Sequence, residues 1–177
     1  LKPGSAEANN NLGVAIKESG DLEGAILCYE KALELDPNFA EPLSNLAGIQ
    51  RDLGNTKKAF VFARKALKIN PNLFEANTNL GNLLVGEGKY LEAIEKYKTA
   101  LRSQPNSTET LFNLGLALKE ARFNKFDQVL AAQVLTLLKS NGLVSPVSIC
   151  RSVLSLLKHN TLVKEALLNQ KEIFGAY

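Results

Sequence analysis

Residues 6–39 read AEANNNLGVAIKESGDLEGAILCYEKALELDPNF, and this stretch decides the fold. Ala8, Leu12, Ala15 and Ile16 recur at the spacing of one helical face. Gly20-Asp21 then breaks the pattern, because glycine accepts the left-handed conformation that ends a helix at little cost. Leu22, Ala25, Ile26, Tyr29, Ala32 and Leu33 restore helical spacing until Asp36-Pro37, where proline disfavours helix in the residue before it. The stretch predicts two helices joined by a tight turn. Gly13, Ala25 and Ala32 are small enough to let them approach closely, and Leu12 and Tyr29 are large enough to fill the space between. Two short helices cannot bury their apolar faces alone, so neighbours must stack on them.

The chain repeats this unit. Pro3, Pro37, Pro71 and Pro105 stand 34 residues apart, as do Asn11, Asn45, Asn79 and Asn113. Leu12, Leu46, Leu80 and Leu114 keep the same period, followed by Gly13, Ala47, Gly81 and Gly115. Gly20, Gly54 and Gly88 keep it too, as do Ala25, Ala59 and Ala93, and Ala32, Ala66 and Ala100. A period of this length belongs to solenoid architectures.

In order, these features resemble the tetratricopeptide repeat (TPR) family. The resemblance implies an all-α, right-handed α-solenoid of TPR helical hairpins with C-terminal capping helices. It divides the chain into the end of a preceding repeat (1–5), three repeats (6–39, 40–73, 74–107), a diverged fourth (108–140) and C-terminal helices (141–177). The second repeat departs at Gln50 and Ala63, where the family pattern has large apolar or aromatic residues; Phe60 and Phe62 are expected to refill that volume. In the fourth, Asp127 and Lys139 replace the expected Ala and Pro. Beyond Asn141-Gly142, Ser145-Pro146 and Asn160-Thr161 are expected to start two further helices, a cap for the array or the beginning of another domain.

Composition narrows the function. With 45% hydrophobic and 22% charged residues, the 177-residue chain belongs to the globular class. It begins at Leu1, which points to a processed or excised chain, and has no apolar run near the roughly 18 residues that span a bilayer. Cys28 and Cys150 make no disulfide framework and suit a reducing, cytoplasmic compartment. Cys28, beside Tyr29, is expected to be a buried structural thiol. His159 is the single imidazole, so neither a zinc set nor His-based acid–base chemistry is expected. Residues 1–107 hold 13 basic and 13 acidic side chains, and the net +3 lies in the tail, too weak for a nucleic-acid stripe. Gly81, Gly86 and Gly88 do not make a phosphate loop, because Leu83 and Tyr90 stand where glycine and a hydroxyl residue are required. Asn106-Ser107-Thr108 is a glycosylation sequon, meaningful only in a secreted chain. No cofactor, metal or catalytic constellation is expected.

What remains is the asparagine set. Asn11, Asn45, Asn79 and Asn113 each precede a Leu-Gly or Leu-Ala pair, which places them on the inner surface of the superhelix. An amide offers two donors and an acceptor, so it can bracket the N–H and C=O of an extended peptide without reading its side chains. The set is similar to the asparagine ladder of the O-linked N-acetylglucosamine transferase TPR array. Alternatively, these amides bond neighbouring helices. The resemblance adds Asn10, Val14, Lys17, Ser44, Gly48, Arg51, Thr78, Asn82, Phe112, Leu116 and Lys119 to the inner face. Lys17, Arg51 and Lys119 would pair acidic ligand groups, or else their neighbours Glu18, Asp52 and Glu120. The family's chaperone-carboxylate clamp is disfavoured, since Asn10, Val14, Glu75 and Asn79 occupy its positions. The expected function is a non-enzymatic module that binds a protein or peptide in the groove, without nucleic acid or membrane. The alternatives are the substrate-binding region of a larger glycosyltransferase- or methyltransferase-type enzyme, and self-association through the array ends.

Overall fold

The computed structural model describes residues 4–121 and 128–139. Cys150, His159, Pro3 and the helices expected beyond Gly142 lie outside the described residues. Eight α-helices follow one another: α1 (Ala6–Glu18), α2 (Leu22–Leu35), α3 (Ala40–Asp52), α4 (Thr56–Ile69), α5 (Phe74–Gly86), α6 (Tyr90–Ser103), α7 (Thr108–Glu120) and α8 (Gln128–Lys139). There is no strand among the described residues. This is the all-α hairpin-stack architecture of an α-solenoid. The chain divides into two compact units, Leu1–Gly88 and Lys89–Tyr177.

In the first unit α1 packs on α2 and α3 on α4, each pair joined by a turn of three residues. Successive hairpins stack through α2 against α3 and α4 against α5, while α1, α3 and α5 touch along a shared layer. The glycines at the turns adopt the left-handed conformation that the break requires: φ is +93° at Gly20 and +77° at Gly54. Asp21 caps α2 by accepting from the Gly24 N–H at 2.8 Å. At the other end, Asp36 is extended (φ −141°, ψ 96°), as the proline after it demands.

The close approach expected at Gly13 is real. A Cβ there would fall 2.6 Å from Tyr29 Cε1. Tyr29 is fully buried and joins Ala25, Leu46 and Ile49 in one apolar cluster. Its hydroxyl is buried without a hydrogen-bond partner among the described residues. Burial pushes its pKa from the ordinary 10 up to about 12, with smaller contributions from Cys28 and Glu18.

Two expectations need correction. Leu12 does not fill space between helices: it is 51% exposed, whereas Leu46 at the same register is 1% exposed. Leu46 is covered by α2 of the preceding hairpin, through Ala25 and Tyr29; α1 has no such neighbour among the described residues, so Leu12 and Ala15 stay open. Cys28 is half-buried and free, not buried. In the second repeat, Phe62 is half-buried and packs against two apolar clusters of the unit. Phe60 is half-buried under the Arg64 guanidinium, 5.4 Å from its ring centre.

In the second unit α6 packs on α7, and α8 contacts both. Tyr97, Leu101, Leu114, Leu118 and Leu130 are all buried. Gln133 of α8 donates to the Lys98 carbonyl at 3.0 Å, tying α8 to α6.

Candidate functional site

The polar residues on the layer formed by α1, α3 and α5 are joined in two networks, both within the first unit. In the first, Asn45 Nδ2 donates to Asn10 Oδ1 at 3.1 Å, and Asn10 Nδ2 makes a long 3.5 Å contact with Asn11 Oδ1. In the second, Asn79 Nδ2 donates to the Ser44 carbonyl at 3.0 Å and approaches Ser44 Oγ at 3.4 Å. Its Oδ1 accepts from Arg51 Nη1 at 3.1 Å. Arg51 also pairs with Asp52, Nη2 to Oδ1 at 2.8 Å. The Asn79 amide lies over Gly48, where a Cβ would meet it at 3.6 and 3.8 Å.

The two networks share one geometry. Each ladder amide reaches back 35 residues, one repeat and one position, to the residue before its own counterpart. The asparagines therefore bond neighbouring helices, which is the second reading the sequence allowed. The bond also fixes each amide's orientation on the layer. Asn45 keeps one N–H and its Oδ1 without a partner among the described residues, and Asn79 keeps one Oδ1 lone pair beside Arg51.

The remaining sequence candidates fall as follows. Asn11 is exposed, Asn45, Asn79, Asn82 and Asn113 are half-buried, and Asn10 and Thr78 are buried. Thr78, Asn82 and Asn113 are each engaged in an interaction. Lys17 is half-buried and Lys119 exposed, and neither makes an ion pair among the described residues. In the second unit Phe112 and Leu116 on α7 are 43% and 46% exposed, beside Asn113. Among the described residues no group of His, Cys, Asp and Glu could hold a metal ion, and no helix is long and apolar enough to cross a membrane.

Sequence reasoning missed the pairing between asparagine and the preceding repeat. Its signal is small: a polar residue, Asn10 or Ser44, stands just before Asn11 or Asn45. Asn9 and Asn77 were also passed over. Each sits at the fourth position of its repeat and ties down the chain entering its helix. Asn9 donates to the Ser5 carbonyl at 2.9 Å, and Asn77 to the Pro71 and Leu73 carbonyls at 2.9 and 3.0 Å.

Comparison with known proteins bears on the same register. A family model described as TPR repeat matches residues 15–54 and 81–121, and two described as tetratricopeptide repeat match 40–73 and 62–95. Together they run without a gap from residue 15 to residue 121. The chain belongs to the tetratricopeptide repeat family. Among solved structures, the first TPR of Spaghetti (RPAP3), bound to the HSP90 peptide SRMEEVD, is similar with a TM-score of 0.58 at 23% identity. That match covers 66% of this TPR chain and 93% of the other. A mutant of the Thermobaculum terrenum O-GlcNAc transferase is similar with a TM-score of 0.62 at 23% identity, over 75% of this chain. The chain spans only 25% of that enzyme's length. At such identity these likenesses concern the fold. No curated protein sequence matches the chain.

Proposed function

We propose that this TPR chain binds an extended peptide segment along the α1–α3–α5 layer, through the amides of Asn11, Asn45 and Asn79. One observation carries the reading: Asn45 and Asn79 each donate to the preceding repeat at the same 35-residue offset, Asn45 to a side-chain oxygen and Asn79 to a backbone carbonyl. An amide whose rotamer is already fixed loses little entropy when a ligand arrives, so the layer is preorganised. Asn45 presents a donor and an acceptor, the complement of one peptide unit. Main-chain bonds of this kind tolerate many sequences, and Arg51, Lys17, Asn82, Thr78 and Asn10 would add selectivity from the flanks. The RPAP3 repeat's bound peptide supports a peptide ligand by analogy of fold.

The test begins with a random peptide display library panned against the chain, followed by titration of a selected peptide by calorimetry. Asn45→Ala with Asn79→Ala removes one bracket and one further acceptor, three hydrogen bonds to the peptide. At about 1 kcal/mol for each neutral hydrogen bond, binding weakens on the order of 100-fold. Far-ultraviolet circular dichroism confirms that helicity is kept. Unchanged affinity in the folded double variant refutes the ladder.

A further inference from the structure

A second surface of the first unit, formed by α2 and α4 over α3, has a composition that peptide binding on the other layer does not explain. Helix α4 carries Lys57, Lys58, Arg64, Lys65 and Lys68 and no acidic residue, although residues 1–107 as a whole are charge-balanced. At about 100° per residue, Lys57, Lys58, Val61, Phe62, Lys65 and Lys68 fall in one sector about 140° wide. Ala59, Ala63 and Ala66, on the opposite side of α4, are fully buried.

That sector opens into two adjoining clefts. The first, about 370 Å³, is walled by Ile26 of α2 and by Val61 and Phe62, and floored by Leu46 and Gln50 of α3. Lys57, Lys58, Lys65 and Glu30 stand around it. The second, about 410 Å³, is walled by Leu33, Pro37, Phe62 and Ile69, floored by Leu43, and bordered by Lys65 and Lys68. Phe62 and Lys65 belong to both. Val61 is 52% exposed. None of the four lysines makes an ion pair among the described residues, and Glu30 is the single acid in either lining.

The aromatic residue explains why the groove sits here. At the register of buried Tyr29 and Tyr97 the second repeat has Ala63, and its ring is carried by Phe62, one residue earlier. One residue turns the side chain by about 100°, away from the hairpin interior and into the groove wall.

We propose that the α2–α4 groove docks an acidic amphipathic α-helix of a partner protein. The occupant's apolar residues fill the two clefts on either side of Phe62, and its Asp and Glu side chains meet Lys57, Lys58, Lys65 and Lys68. Charge complementarity fixes the sign of the partner: four lysines face one glutamate. The lining fixes its conformation. Apart from Gln50 and Glu30 the clefts present apolar and lysine side chains, with no amide ladder, so an extended peptide would leave most of its backbone N–H and C=O groups without a partner from the groove. A helix satisfies its own backbone and lays an apolar stripe into a groove. From Lys57 to Ile69 the rise is about 18 Å, the length of about twelve helical residues. The floor residues Leu43 and Leu46 are buried between helices, out of reach of a flat bilayer surface.

The probe is a fluorescein-labelled helical peptide with Leu at positions i, i+4, i+7 and i+11 and Glu beside them. It is titrated into the full chain by anisotropy at about 50 and about 300 mM salt. The expected result is saturable binding that weakens with salt and falls at least about tenfold when Lys57→Glu, Lys65→Glu and Lys68→Glu are combined. A peptide of the same composition with scrambled leucine spacing binds at least about tenfold more weakly, because its leucines no longer share one face. Asn45→Ala with Asn79→Ala leaves the affinity unchanged, which separates this groove from the ladder layer. The charge reversals lie on exposed side chains, and circular dichroism confirms the fold. The proposal is overturned by any of four results: no saturable binding, equal binding by the triple lysine variant, equal binding of the scrambled peptide, or capture of anionic vesicles but not of the helix.

Discussion

Gly13 and Gly48 stand inside α1 and α3, and the same change, glycine to alanine, is expected to move stability in opposite directions at the two sites. Helix propensity alone favours alanine by about 0.8–1.0 kcal/mol at both. At Gly48 the new Cβ meets Asn79 at 3.6 and 3.8 Å, ordinary contact, so the propensity gain survives. At Gly13 it falls 2.6, 2.9 and 3.1 Å from three carbons of the Tyr29 ring, against the roughly 3.5–4.0 Å that carbon pairs prefer. The ring has to retreat by about an ångström within a fully buried site, and overpacking of this kind costs about 1–3 kcal/mol. The balance is a loss of about 1 kcal/mol for Gly13→Ala and a gain of about 1 kcal/mol for Gly48→Ala. In a chain of this size each is a shift in Tm of about 2–4 °C, in opposite directions. Thermal melts followed by circular dichroism at 222 nm read both. A double-mutant cycle isolates the cause: in a Tyr29→Ala background the cost of Gly13→Ala vanishes and its propensity gain appears. The second repeat already carries Ala47 and Ala63 at these two registers, both fully buried. If Gly13→Ala raises Tm as Gly48→Ala does, or costs the same with Tyr29 absent, the close-approach reasoning is wrong.

Leu46→Ala is expected to cost about 2–5 kcal/mol, because it empties a buried site lined by the preceding hairpin. Leu12→Ala, at the same register but half exposed, is expected to lower Tm far less in the same melting experiment. Tyr29 favours the neutral phenol in the folded chain, so the folded state holds one more proton than the unfolded state between pH 10 and about 12. Stability from this group is therefore complete below pH 10 and falls as pH rises through about 12, and absorbance at 295 nm should show a late ionisation step that belongs to Tyr29. Tyr29→Phe removes a hydroxyl that has no partner among the described residues, and is expected to leave Tm unchanged or raise it while abolishing that step.

The 34-residue period made the hairpins, their turns and the Gly13–Tyr29 approach legible, because each depends on residues within one unit. Leu12 was misjudged for the complementary reason: the side chain that covers this register comes from the preceding unit, and periodicity gives every copy the same role whether or not it has a neighbour. Cys28 was misjudged because helical spacing fixes a direction around the axis but not how deeply that sector is covered. The amide partners were invisible because they are offset by one position from the period, so no column of the repeat aligns Asn45 with Asn10. The α2–α4 groove was passed over because the charge balance of residues 1–107 averages away α4, the one helix among α1–α6 that has no acid.

The offset pairing constrains how the ladder can work. A free asparagine could turn its amide to suit any ligand, but Asn45 and Asn79 have each committed a donor to the repeat behind them. What they offer is therefore fixed in direction and unequal. Asn45 presents a donor and an acceptor. Asn79 presents an acceptor whose other lone pair is held by Arg51, and Arg51 is itself held by Asp52. A peptide bound along the layer as proposed would gain a full bracket at Asn45, whereas at Asn79 it would meet a carbonyl already polarised by a guanidinium. An acidic side chain on the peptide beside Asn79 would compete with Asp52 for that guanidinium and draw it off the amide, freeing the second lone pair for a backbone N–H. In the proposed ladder, sequence tolerance and charge preference would thus be carried by adjacent rungs, and the difference between them would come from one register position: among the described residues Lys17 in the first repeat makes no such contact, while Arg51 in the second does.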